Sequence, residues 1–105
     1  RESAPPGASQ HQTGTAIDFG DITDKFATEP SGIWLAANAG KYGFSLSFPQ
    51  GYEPVTGYRW ECWHYRYIGL PAVFMQEKWF NNVQQYMFDF IEFYKNAKIE
   101  LVEEI

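Results

Sequence analysis

The chain has 105 residues, 45% hydrophobic and 19% aromatic, with 13 acidic side chains against 8 basic and a formal net charge of -5. That length suits one small domain, and the apolar share is ample for a packed core. The basic residues are scattered, so the basic face needed to bind a nucleic-acid backbone is missing. No stretch is apolar for long enough to span a membrane, and the single cysteine, Cys62, rules out an internal disulfide.

Residues 1–13 read as loop. Pro5, Pro6 and Gly7 interrupt regular structure, and Ser9 to Thr13 is polar throughout. The first seven residues carry no secretory signal pattern. Gly14 to Phe19 alternates small and apolar residues and suits a short strand. Asp21 to Pro30 is mixed and reads as irregular. From Ser31 to about Lys41 the spacing of Ile33, Trp34 and Ala37 predicts a helix capped by Ser31. Phe44-Ser45-Leu46-Ser47-Phe48 alternates cleanly, as a strand with one buried face does. Pro49 to Gly51 is a turn, and residues 52–58, with Pro54 and Gly57, read as a hairpin loop. Trp60 to Ile68 reads as a second aromatic strand.

After Gly69 the period changes. Leu70 to Trp79 predicts a short helix with Pro71 in its first turn, where the missing amide hydrogen is harmless. Asn81 or Asn82 can cap a longer helix to about Ala97, with Val83, Met87, Phe90, Ile91 and Tyr94 as an apolar stripe best read as core packing. Ile99 to Ile105 fits either a frayed helix end or an added strand. The order predicts an α+β fold, a small antiparallel sheet with flanking helices.

Only two histidines are present, His11 and His64. Each has an ordinary explanation: a solvated loop histidine, and a core histidine between Trp63 and Tyr65. Asp18 alone could cap a turn. In combination, two imidazoles and a carboxylate make a three-ligand zinc shell with the fourth position left to water, the pattern of catalytic rather than structural zinc. Such a site needs a carboxylate to move the water's proton, and Glu61, three residues before His64, is the candidate. On one regular strand Glu61 and His64 would face opposite sides. A bend or bulge at Cys62 is therefore expected.

These residues resemble a known family. Ser9-Gln10-His11-Gln12-Thr13-Gly14-Thr15-Ala16-Ile17-Asp18 fits S-x-H-x-x-G-x-A-x-D. Glu61-Cys62-Trp63-His64 fits E-x-W-H, followed by the aromatic-Arg-Tyr-aliphatic-Gly strand Tyr65 to Gly69. Together they are similar to the VanY-type D-alanyl-D-alanine carboxypeptidases, of the zinc group shared with lysostaphin-like peptidases and hedgehog domains. Trp34 to Phe48 looks like the family's helix-then-strand connector. The resemblance covers roughly residues 3–69 and implies a hedgehog/D-Ala-D-Ala-peptidase-like fold.

It implies that His11, Asp18 and His64 hold zinc and that Glu61 is general base and acid. The substrate implied is a peptidoglycan stem peptide ending in D-Ala-D-Ala, and the location is the cell envelope. Ser9 is implied in substrate binding, against a turn hydroxyl as the plain alternative. Trp63 is read as a cleft wall, with a core role close behind. The family's usual proline between Glu and Trp is Cys62 here, expected to point away from the metal as a small apolar residue. The family's upstream Tyr-Arg-Ser-like segment has no match in these residues, and Arg59 and Arg66 lie in the wrong context to replace its arginine. The expectation is therefore a single zinc peptidase domain over residues 1–105, its C-terminal, metal-binding part, with self-association favoured by exposed apolar surface. A non-catalytic zinc-dependent binding domain or an inactive fragment on the same scaffold, and a carbohydrate binder using the aromatics, are the competing readings.

Overall fold

The chain folds around a three-stranded antiparallel sheet in the order β1-β3-β2, with β3 in the middle. The computed structural model describes residues 15–104, and side chains through residue 97. The strands are β1 (Ala16–Asp18), β2 (Phe44–Leu46) and β3 (His64–Tyr67). Helices are α1 (Pro30–Asn38), α2 (Glu53–Thr56), α3 (Leu70–Trp79) and α4 (Gln84–Glu104), with 3-10 turns at Asp24–Thr28 and Ala39–Tyr42. The predicted α+β class and antiparallel sheet are what the structure shows.

Several boundaries differ for identifiable reasons. The expected strand over 60–68 is regular only from His64, because the chain turns at Cys62 and Trp63. The expected hairpin loop over 52–58 contains the single-turn helix α2, with Pro54 in its first turn and Gly57 closing it at φ 80°. Ser31 does not cap α1. Pro30 already lies at the first position, the cap position is Glu29, and no side chain bonds the free amides there. Asn81 and Asn82 do not start α4 but turn the chain between α3 and α4 at φ 54° and 56°, a backbone region asparagine tolerates better than most residues. Of the predicted α4 stripe, Val83 and Met87 are buried while Phe90, Ile91 and Tyr94 are exposed.

Two packed regions hold the sheet. Phe26, Cys62 and Trp63 form a buried cluster with Phe19, Ala27, Leu35 and Trp60 against it. Edge-on rings continue it along the sheet, Phe19 against Tyr65 at 5.8 Å and Phe44 against Tyr67 at 5.4 Å; such contacts suit the charge distribution of aromatic rings. Toward α3 and α4 the contacts are partly polar. The Ser45 hydroxyl donates to Gln76 Oε1 at 2.7 Å, Gln76 Nε2 donates to Asn82 Oδ1 at 2.8 Å, and Gln84 Nε2 donates to the Ser45 carbonyl at 3.3 Å. Among the described residues every buried side-chain nitrogen and oxygen has a partner, as buried polar groups must. Arg66 lies on its strand with its guanidinium over the Phe88 ring, 5.1 Å from the centroid.

α1 docks through Gly32, on which a Cβ would sit 1.8 Å from the Phe26 carbonyl oxygen. Glycine to alanine inside a helix normally stabilises by about 1 kcal/mol. Here the contact reverses the sign. Gly32→Ala is expected to lower stability by about 1–3 kcal/mol, as overpacking does, read from the urea unfolding midpoint. Unchanged or raised stability would show that Phe26 does not press on α1.

Candidate active site

The site is built at the N-terminal end of β3. Beyond Leu46, the β2 chain keeps bonding to the segment before β3. The Ser47 amide donates to the His64 carbonyl at 3.2 Å, and the Glu61 amide donates to the Phe48 carbonyl at 3.0 Å. Two consecutive residues, Ser47 and Phe48, thus hold two residues three apart. Cys62 and Trp63 are the surplus, looped into a turn closed by the His64 amide on the Glu61 carbonyl at 3.2 Å. On the other side the Phe19 amide donates to the Trp63 carbonyl at 2.9 Å. This is the bend expected at Cys62, and it removes the strand alternation that would separate Glu61 from His64. His64 Nδ1 lies 3.8 Å from Glu61 Oε1.

Asp18 arrives by register. It pairs directly with His64 across β1 and β3, where opposite side chains share one face at close range. Its Oδ1 lies 3.2 Å from His64 Nδ1. The imidazole and the Glu61 carboxylate are buried, at 2% and 5% side-chain exposure, whereas Asp18 is 35% exposed. The cluster therefore opens to solvent on the Asp18 side.

The donor set is one imidazole nitrogen with carboxylate oxygens, which suits zinc. Two atoms bound to one tetrahedral zinc at about 2.0–2.1 Å stand about 3.3 Å apart, and Asp18 Oδ1 and His64 Nδ1 have that separation. Among the described residues no three His, Cys, Asp or Glu side chains are arranged to hold a metal ion by themselves. The third expected ligand, His11, lies outside the described residues, as does Ser9. The structure thus brings together Asp18, Glu61 and His64.

The other two residues of the turn face the interior. Trp63 is 6% exposed and packs with Phe26 in the core cluster. Of the two readings open for Trp63, cleft wall and core, this packing supports the core role. Cys62 also points into the cluster, its Sγ 3.4 Å from the Thr23 carbonyl oxygen. Burial pushes its thiol above the ordinary value, with smaller opposing help from the Ala27 backbone. Arg59 is held elsewhere, one guanidinium nitrogen 2.8 Å from both carboxylate oxygens of Asp24. What the sequence did not single out is the Ser47-Phe48 pair. Its one signal was the alternation that ran past Leu46 to Phe48.

The profile of the VanY family, D-alanyl-D-alanine carboxypeptidase, matches residues 1–70. The chain belongs to this family. A D-alanyl-D-alanine carboxypeptidase of Enterococcus faecium is 38% identical over 98 residues, which is 92% of this chain and 32% of that relative. The bifunctional D-Ala-D-Ala dipeptidase and D-Ala-D-Ala carboxypeptidase VanXYC of Enterococcus gallinarum is 36% identical over 86 residues, 72% of this chain and 45% of its own length. The LdcB LD-carboxypeptidase structure superposes with a TM-score of 0.72 at 35% identity, over 81% of this chain and 42% of that one. The vancomycin resistance D,D-dipeptidase VanXYg, in complex with a D-Ala-D-Ala phosphinate analog, gives 0.67 at 32% identity, over 84% of this chain and 37% of its own. The chain therefore spans less than half the length of each of these relatives. No described helix is long and apolar enough to cross a membrane.

The thiolate is the reactive form of cysteine, and burial opposes it. Alkylation of Cys62 by iodoacetamide at pH 8 is expected to be at least about tenfold slower in the folded protein than in the urea-unfolded chain, measured by mass spectrometry. Equal rates would place the thiol at the surface.

Proposed function

We propose that this chain is the zinc-binding, catalytic part of a carboxypeptidase that removes the terminal D-alanine from peptidoglycan stem peptides ending in D-Ala-D-Ala. Residues His11, Asp18 and His64 hold the metal in this reading, and Glu61 moves the proton. The observation that carries it is the convergence of Asp18 and Glu61 on His64 Nδ1, at 3.2 and 3.8 Å, at the open end of β3. Family membership and the peptidase relatives support it.

When bound, the zinc supplies Lewis-acid polarisation of the scissile carbonyl and lowers the pKa of a water toward about 7. Asp18 and His64 bind from adjacent strands, so the sheet itself sets their separation. Glu61, held at its amide by Phe48 and nearly sealed from bulk water, takes the proton of the attacking water. It then returns that proton to the departing amine of D-alanine. Ser9 contacts the substrate near its terminal carboxylate. A purely structural or ligand-holding metal needs no proton carrier, so a buried carboxylate beside His64 favours the enzyme over a binding domain on the same scaffold. A wall-associated substrate places the protein in the cell envelope.

The names of the relatives include both D-Ala-D-Ala and LD-carboxypeptidases, so the assay uses two peptides, a stem pentapeptide ending in D-Ala-D-Ala and the tetrapeptide one residue shorter. The purified protein is expected to hold about one zinc per chain and to release D-alanine from the pentapeptide in a chelator-sensitive way. Glu61→Gln is expected to retain zinc while losing about 10²–10⁴-fold in kcat. Cleavage of the tetrapeptide alone would move the specificity to the L,D bond. Zinc with no cleavage of either peptide would leave the chain an incomplete enzyme or a binding domain, and absence of zinc would sink the proposal.

A further inference from the structure

We infer that Phe48 is a positioning residue for the metal ligand His64, an inference that rests on the zinc reading above. The two rings pack against each other at a tilt, centroids 4.8 Å apart and planes 40° apart. Phe48 is 3% exposed and His64 2%. Phe48 also packs against Tyr58, centroids 4.5 Å apart and planes 35° apart. Phe48 is therefore the ring that His64 and Tyr58 share.

These rings are tied to the surrounding chain. Tyr58 is held by Thr56 at the end of α2, whose hydroxyl accepts from the Tyr58 amide at 3.1 Å and donates to the Tyr58 carbonyl at 3.0 Å. Just before α2, Tyr52 meets Tyr86 of α4 edge-on and accepts a hydrogen bond from Asn81 at 2.9 Å. Phe48 itself holds the Glu61 amide through its carbonyl. One residue thus touches both partners of the proposed chemistry, the ligand through its ring and the proton carrier through its backbone.

The reason a ligand needs such a neighbour lies in the imidazole itself. The torsion that turns the ring is broad and nearly two-fold, so side-chain preference alone leaves the ring plane loose. A metal bond requires the nitrogen lone pair in that plane to point at the ion. The Phe48 ring, packed against the imidazole at 4.8 Å, limits how far it can turn, and the carboxylates of Asp18 and Glu61 lie at its Nδ1 edge. Loss of groups that orient a ligand typically weakens metal binding about 10–100-fold. A packed ring, with no hydrogen bond, belongs at the lower end of that range.

Phe48→Leu fills similar space without a ring face. Its zinc affinity is measured by competition with a chromophoric chelator, and its cobalt(II) form by visible absorption. Val83→Ala serves as a control, because Val83 is equally buried and lies in the turn between α3 and α4, its amide on the Phe80 carbonyl. The expected result is about tenfold weaker zinc binding and an altered cobalt spectrum in Phe48→Leu. Val83→Ala should lose comparable thermal stability with neither change, and Phe48→Tyr, which keeps the ring, should recover wild-type affinity. Wild-type affinity and spectrum in Phe48→Leu, or equal weakening in Val83→Ala, would reduce Phe48 to an ordinary core residue. Should Phe48→Leu not fold, Phe48→Met makes the same comparison. Wild-type protein that binds no zinc would overturn the metal reading itself and this inference with it.

Discussion

Two surplus residues between a pair of backbone hydrogen bonds organise this molecule. Ser47 and Phe48 grip His64 and Glu61, and Cys62 and Trp63 have no rung of their own. A ladder with two residues against four cannot stay pleated. It must turn, and the turn sends alternate parts of the segment to opposite destinations. Glu61 and His64 go toward Asp18. Cys62 and Trp63 go toward Phe26.

That division couples the site to the core. Burying a tryptophan side chain stabilises by several kcal/mol in ordinary cases, of the order of the ~3–5 kcal/mol lost when one is truncated to alanine. The same turn keeps Glu61 and His64 out of water, a placement that costs free energy for a carboxylate unless it is matched by partners. The hydrophobic half of the tetrapeptide therefore holds the polar half where water alone would not put it. The stretch Glu61 to His64 serves as a site motif and a core motif at once, which is why a small residue such as Cys62 fits the second position: its thiol meets a backbone carbonyl at Thr23 in a tight interior.

The helices take their meaning from this centre. α1 is brought close by the absence of a side chain on Gly32 and covers the Phe26 side. α3 and the start of α4 bond to the sheet through Gln76 and Gln84, with Val83 and Met87 buried beside them in sequence. α2, a single turn, braces the rings packed beside His64. Past Met87, α4 carries Phe90, Ile91, Phe93 and Tyr94 exposed, so the core contribution of that helix ends within its first turn.

The sequence by itself determined the α+β class, the antiparallel sheet, the span of α3 and, among the described residues, that Asp18, Glu61 and His64 belong together. Those properties follow from local signals: period-two alternation, proline and glycine positions, and a two-part motif whose spacing is a property of the chain. It also determined that a bend had to fall at Cys62, because side chains three apart on a strand point opposite ways. Only the tertiary structure decided that Trp63 belongs to the core, that residues 52–58 contain a helical turn, and that the asparagines at 81 and 82 turn the chain instead of capping α4. It alone revealed Ser47 and Phe48 as the clamp. Which face a residue presents in a turn, and which strand supplies the opposing groups, depends on partners 13 or more residues away, such as Phe48 to Glu61 at 3.0 Å and Asp18 against His64. No local pattern encodes them.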